Sequence, residues 1–308
     1  MIKDKIFLFG DHADHLEKEI LSFGGIKGGN SVRFADGEAG VEVNIKLPKD
    51  EIFIFQSIVN DQALMALLIL VDTAKRSGIK NITAIVSYYG YARQDREAGE
   101  YSPVSAKLLA QMLETAGLDR LIVFDLHNEV IKSFFNIHIT NLLPTTIFAQ
   151  DISTKYVNLD DVVIVAPDVG ALKRAKNLAE TFNKTDVVII NKHRPKPGVS
   201  EVMNIIGEVE NKICIITDDI VDSAGTLCNA ADALKNSGAQ SVNAYITHGV
   251  FAGKAAGKIN NIAINRIEAS ALDEVVITNS TNLSNNDINC AKVRIISAVE
   301  LLLDGMSQ

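Results

Sequence analysis

Apolar residues in this chain come in short unbroken runs, separated by segments in which they recur every three or four positions. KIFLFG (5–10), EIFIFQS (51–57), ITAIVSYYG (82–90), RLIVFDLH (120–127), VVIVAPD (162–168), VVIINK (187–192), KICIITDD (212–219) and SVNAYITHG (241–249) read as strands. HLEKEILSF (15–23), PVSAKLLAQMLETAG (103–117), GALKRAKNLAETF (170–182) and LCNAADALKNSG (227–238) carry helical spacing. Strands apolar on both faces and alternating with helices predict an α/β chain of mainly parallel sheets flanked by helices.

The pattern repeats. Residues 52–87 align without gaps on residues 212–247, so that Asp72, Lys75, Ser77, Gly78 and Ala84 meet Asp232, Lys235, Ser237, Gly238 and Ala244. A looser echo pairs residues 6–20 with the segment from Ile164. This predicts a duplication: one α/β domain over 1–147, joined by a C-terminal helix at about 297–308, and a second over 148–296. A length of 308 residues suits two domains. NKHRPKPGVSEVM (191–203) breaks the pattern; its basic residues, prolines and glycine predict a mobile loop.

Composition narrows the function. The formal charge of −8 argues against broad nucleic-acid binding, so an anionic substrate would need cations gathered locally. The longest apolar run, ALMALLILV (63–71), is too short to span a bilayer and reads as a buried helix face. Cys214, Cys228 and Cys290 stand far apart, which predicts buried thiols and fits a reducing cytoplasm. His12 and His15 in GDHADH read as part of a polar loop rather than a ligand pair.

The most informative stretch is DDIVDSAGT (218–226), between a predicted strand and a predicted helix. Ser223, Ala224 and Gly225 are small enough for backbone amides to approach a ligand, and a helix starting near Thr226 points its positive end at them. Asp218 and Asp219 leave the strand end, where open α/β sheets place their ligands, and Asp222 follows. A sugar phosphate satisfies both halves: phosphate on the amides, vicinal hydroxyls on the acids. The matching loop of the first copy, IVNDQALMA (58–66), lacks the acidic pair and the glycine, so the second domain alone is expected to keep the site.

This loop resembles the phosphoribosyl-pyrophosphate loop of type I phosphoribosyltransferase-like domains. YARQDR (91–96), SPVSAKLLAQMLETAG (102–117), VFDLH (123–127), APDVG (166–170) and THGVF (247–251) extend the resemblance, in order and over nearly the whole chain, to ribose-phosphate pyrophosphokinases. It implies two tandem type I phosphoribosyltransferase-like domains. It also implies an enzyme that transfers the β,γ-diphosphoryl group of ATP to O1 of ribose 5-phosphate, with Mg²⁺ as cofactor. RFADGE (33–38) resembles the family's adenine-contacting loop, which in relatives reaches a neighbouring subunit's site. Phe34, Asp36, Glu38, Arg93, Gln94 and Asp95 are the ATP-binding residues so implied. Asp218, Asp219, Asp222, Ser223, Ala224, Gly225 and Thr226 would bind ribose 5-phosphate, and His127 and Asp168 would each take a Mg²⁺. Lys192 and Arg194 match the catalytic Lys-x-Arg pair of a loop that closes over the nucleotide.

Relatives also imply a cytoplasmic homo-oligomer of dimers assembling to a hexamer, with no nucleic-acid or membrane partner. A phosphoribosyltransferase shares the acidic loop but needs one such domain; a non-catalytic homologue should have lost acids or cations that all stand here. Three departures are visible. Ala171 replaces a usual second glycine, where its methyl is expected to crowd the diphosphate; Gly90 replaces a frequent proline; Tyr101 replaces an arginine common in phosphate- and ADP-responsive relatives.

Overall fold

The apolar runs assemble into two seven-stranded sheets of the same topology. The computed structural model describes residues 2–193, 202–252, 261–283 and 288–307, the side chains at 192, 193, 202, 203 and 307 excepted. The chain divides into two units: Met1–Leu143 with Asn279–Asn282 and Ser297–Gln308, and Pro144–Thr278 with Leu283–Ile296.

In the first unit, β1 (Ile6–Phe9), α1 (Asp14–Ser22), β2 (Ile26–Arg33), β3 (Ala39–Val43), β4 (Glu51–Gln56), α2 (Asp61–Arg76), β5 (Asn81–Val86), α3 (Ser105–Ala116), β6 (Arg120–Phe124) and β7 (His138–Leu142) follow in sequence. The strands lie in the order β3-β2-β1-β4-β5-β6-β7. β2 and β3 pair antiparallel, whereas β1, β4, β5, β6 and β7 run parallel. Leu8, Ile54, Ala84 and Val123 from these strands pack with Leu67, Leu70, Leu109 and Leu113 of α2 and α3 in one buried cluster.

The second unit repeats this plan with α4 (Thr145–Lys155), β8 (Val162–Ala166), α5 (Leu172–Glu180), β9 (Val188–His193), β10 (Val202–Ile206), β11 (Ile213–Val221), α6 (Gly225–Asn236), β12 (Ser241–Gly249), α7 (Asn261–Ala269), β13 (Glu274–Thr278) and β14 (Val293–Ile296). Its order, β10-β9-β8-β11-β12-β13-β14, matches the first strand for strand. The closing helix α8 (Val299–Asp304) belongs to the first unit. The sequence echo is thus β4–α2–β5 laid over β11–α6–β12. The copies diverge where the chemistry lies: β4 stops at Gln56, whereas β11 runs on through both aspartates to Val221, paired to β12.

Three expectations need correction. The strand expected to end at Asp218 and Asp219 does not end there; β11 runs past both to Val221, still paired to β12. The stretch 191–203 is not loop throughout, because Val202–Ile206 pairs antiparallel with Val188–His193 and carries both ends of it into the sheet. His15 is not in a polar loop; it sits in the first turn of α1, and burial pushes its imidazole down to about 4, so it is neutral. The three cysteines are free and buried. Among the described residues no helix is long and apolar enough to cross a membrane.

Candidate active site

In the second unit the chain leaves β8 toward β9 on one side and β11 on the other, which opens a crevice at the carboxyl ends of β8 and β11. β11 delivers Asp218, half-buried, and Asp219, 5% exposed. The Asp219 amide donates to Asp218 Oδ1 at 3.0 Å. Asp222 follows the strand and accepts at Oδ1 from the Ala252 amide at 3.0 Å, which ties the loop to the chain after β12. Asp168 stands just past β8 and accepts at Oδ1 from the Ala171 amide at 3.1 Å.

The turn into α6 is built around open amides. Ala224 precedes the helix with φ 57° and ψ 3°, in the left-handed region, and no side chain caps the helix start. The first-turn N–H groups therefore carry the positive end of the helix without an internal acceptor from a cap. Ser223 and Thr226 are exposed on either side of Ala224 and Gly225. Arg266 of α7 donates from Nη1 to the Ser223 carbonyl at 2.5 Å and holds the turn from below.

Burial, and next the neighbouring Asp219 carboxylate, pushes Asp218 well above the usual carboxylate range. Arg174 of α5 opposes this: Nη1 lies 3.9 Å from Asp218 Oδ1 and 4.0 Å from Asp219 Oδ1. The pair is thus a desolvated, accepting site backed by Arg174, suited to hydroxyl donors.

The first unit shows what the same place becomes without this chemistry. At its β1–β4 crevice the fully buried Gln56 fills the space. Its Nε2 donates to Asp11 Oδ1 (3.1 Å) and the Ala63 carbonyl (3.0 Å), and its Oε1 accepts from the His12 and Ser57 amides. Asn60 caps α2, accepting from the Ala63 amide at 2.8 Å. A plugged crevice and a capped helix leave no anion seat there.

The first unit instead presents two polar surfaces. The β2–β3 hairpin carries Phe34, Asp36 and Glu38 at its turn, all exposed, with the Phe34 ring lying over Gly40. Beyond β5, Arg93 and Gln94 are exposed in the loop before α3; Ser105 Oγ donates to Gln94 Oε1 at 2.6 Å. Asp95 accepts from Asn128 Nδ2 at 2.7 Å, which joins this loop to the exposed His127 after β6. Gly90 has a local reason: a Cβ there would come within 2.4 Å of the Ile58 carbonyl oxygen.

Lys192 lies at the carboxyl end of β9, on the sheet edge shared with the ends of β8 and β11, since these strands run parallel. Its side chain, and Arg194 altogether, lie outside the described residues. The Ala171 methyl does not face a ligand space as expected; the residue is 2% exposed and belongs to the core with Phe148, Ile164 and Ala175. Sequence reasoning missed Arg174 and Arg266. Both lie on helices where an exposed arginine is the ordinary outer-face residue, and only packing reveals which acids or carbonyls they meet.

The described residues contain no group of three or more His, Cys, Asp or Glu able to hold a metal alone. The Asp168 carboxylate and the exposed His127 imidazole are each the kind of single ligand that a divalent cation keeping most of its waters accepts.

Fold and topology together define a doubled, type I phosphoribosyltransferase-like α/β protein. Comparison with known proteins agrees. Residues 5–117 match the model of the N-terminal domain of ribose phosphate pyrophosphokinase, and residues 186–307 that of the phosphoribosyl synthetase-associated domain. A ribose-phosphate pyrophosphokinase of Mesorhizobium japonicum is 46% identical over 279 residues, which is 90% of this chain and 86% of that one. One of Burkholderia pseudomallei is 44% identical over 312 residues, covering 99% and 94%. The crystal structure of phosphoribosylpyrophosphate synthetase from Mycobacterium smegmatis superposes with a TM-score of 0.83 at 29% identity, covering 99% of this chain and 98% of that one. The chain belongs to the ribose-phosphate pyrophosphokinase family.

Proposed function

We propose that this protein makes 5-phosphoribosyl 1-pyrophosphate from ATP and ribose 5-phosphate. The anomeric hydroxyl oxygen attacks the β-phosphorus of ATP, the bond from that phosphorus to the α,β-bridging oxygen breaks, AMP leaves, and the hydroxyl proton passes to solvent. The observation that carries this reading is the uncapped start of α6, reached through Ala224 in the left-handed region and directly preceded by Asp218, Asp219 and Asp222 on β11 and its exit.

The 5-phosphate sits on the amides of Ala224, Gly225 and Thr226, with the Ser223 and Thr226 hydroxyls as further donors. Asp218 and Asp219 accept from the sugar diol, and Asp222 braces the loop through Ala252. In the first unit, Phe34 offers an exposed ring face to the base, while Asp36, Glu38 and Gln94 offer acceptors and an amide. Arg93 suits a phosphate.

Mg²⁺, when bound, neutralises charge on the phosphate oxygens; His127 and Asp168 would each hold one ion. Lys192 and Arg194 stabilise the charge that builds on the transferring group, as positioning and electrostatics carry phosphoryl transfer. A cytoplasmic homo-oligomer, dimers assembling to a hexamer, completes the proposal and is checked by mass in solution.

The test mixes purified protein with Mg²⁺, ATP and ribose 5-phosphate and follows AMP. Sugar-dependent AMP formation is expected; none with all three present sinks the proposal. For Asp219→Ala the loss falls on ribose 5-phosphate affinity, about 10- to 100-fold for a charge-assisted hydrogen bond. A loss confined to ATP instead would misplace the sugar.

A further inference from the structure

Arg33 ends β2, immediately before the hairpin turn that carries Phe34, Asp36 and Glu38. Its guanidinium uses three nitrogens on three separate segments of the chain, one side-chain carboxylate and two backbone carbonyls. Nε and Nη2 donate to Asp11 Oδ2 at 2.8 and 2.6 Å, in the loop between β1 and α1. Nη2 also donates to the Gln62 carbonyl at 2.6 Å, in the first turn of α2. Nη1 reaches the Gly37 carbonyl at 3.3 Å, in the hairpin turn itself.

Behind Asp11 stands Gln56, whose Nε2 donates to the other carboxylate oxygen. A continuous path of hydrogen bonds therefore runs from the buried end of β4, through Asp11 and Arg33, to the turn. Within the turn, the Phe34 amide donates to the Glu38 carbonyl (2.9 Å), the Gly37 amide to the Phe34 carbonyl (2.9 Å) and the Glu38 amide to Asp36 Oδ1 (3.0 Å), with Gly37 at φ 91°. These bonds shape the turn but do not fix its direction, since all of them lie inside it. Beyond the β2 ladder, the Arg33 fork supplies that direction.

We propose that Arg33 is a positioning residue for the nucleotide: through Asp11 and the Gln62 carbonyl it sets the angle at which the hairpin presents Phe34, Asp36 and Glu38. The inference rests on the reading that this turn meets the adenine of ATP. An exposed turn at the end of an edge hairpin pivots easily, and a misplacement of about 1 Å at a binding group can cost about 100-fold. The planar fork of arginine serves several acceptors at fixed angles, whereas lysine brings one flexible point charge, so Arg33→Lys is not conservative here.

The experiment measures AMP formation by the whole enzyme, with ATP and separately with GTP, for wild type, Arg33→Met, Arg33→Lys and Asp11→Asn. Arg33→Met is expected to raise the KM for ATP about 10- to 100-fold, leave the KM for ribose 5-phosphate within twofold, and lower the preference for ATP over GTP. Arg33→Lys and Asp11→Asn should move the same quantities in the same direction by less. Asp11→Asn keeps the size and part of the hydrogen bonding, and serves should Arg33→Met fail to fold. Folded variants with unchanged ATP KM and base preference overturn the inference, as does an equal loss with both substrates. A wild type without sugar-dependent AMP formation overturns the diphosphokinase reading itself, which separates the two failures.

Discussion

Arg174 Nη1 stands 3.9 Å from Asp218 Oδ1, too far for a hydrogen bond and close enough to act as a counter-charge of a crowded acidic pair. Burial and Asp219 raise Asp218 above its ordinary value of 3.8. A carboxyl raised on folding contributes stability fully below its unfolded value, and that contribution is lost as pH rises through the folded one. At neutral pH the Asp218 carboxylate therefore works against the fold. Asp218→Asn should raise the melting temperature at pH 7–8, by about 2–4 °C for each kcal/mol relieved, and the gain should vanish below pH 3.8. Sugar affinity should fall in the same variant. A lower melting temperature at pH 8 would refute this electrostatic account.

Arg174 lowers the Asp218 pKa, so its removal raises it further. In Arg174→Met, the acid limb of the pH profile of kcat/KM for ribose 5-phosphate should shift to higher pH. An unshifted limb, in a variant that still folds, would show that the cation does not tune the acids.

Elsewhere in the second unit, Arg294 forks onto Asp151 (2.8 and 2.7 Å) and reaches Glu274 from Nε (3.1 Å), while Tyr245 Oη donates to Asp151 at 2.7 Å. Hydrogen bonding from Arg294 holds Asp151 below the usual carboxylate range; for Glu274, burial works upward, but Arg294 and Lys155 outweigh it and the value falls. A depressed carboxylate stabilises above its unfolded value and loses that contribution as pH falls through the folded one. Arg294→Met should cost about 1–3 kcal/mol at pH 7, less than a dry ion pair because the arginine is 38% exposed. Its acid unfolding should begin at higher pH than in wild type. Coincident acid transitions would count against the network.

Gly90 faces the Ile58 carbonyl oxygen, 2.4 Å from where a Cβ would stand. Gly90→Ala forces the loop bearing Arg93 and Gln94 to shift, at about 1–3 kcal/mol. Thermal melts should show the loss, and the KM for ATP should rise with it; a variant with wild-type melting and KM would mean that the loop yields freely.

Lys192→Ala should lower kcat about 100- to 1,000-fold, as for loss of one donor to a developing charge, and leave ATP affinity within a few-fold. Equilibrium binding of ATP beside single-turnover AMP formation separates the two effects. Collapse of binding with intact turnover of bound ATP would assign the residue a different role.

The order of apolar runs and the internal echo determine, without coordinates, that one mainly parallel sheet is built twice over, because a strand buried on both faces needs no tertiary information to be recognised. DDIVDSAGT likewise declares an anion seat beside acids, since small residues, carboxylates and a helix start each state their chemistry locally. The edge strands β3 and β10, and β2 beside β3, escape such a reading, because half-exposed, glycine-bearing or basic segments become strands only when a neighbour completes their ladder. Tertiary structure alone places Arg174 behind the acids, Gln56 in the crevice of the first unit, and Arg33 across Asp11, Gln62 and Gly37. Each is a contact between residues distant in sequence or on different elements. A side chain's partner in such a contact is fixed by how the elements pack, which no local pattern of residues encodes.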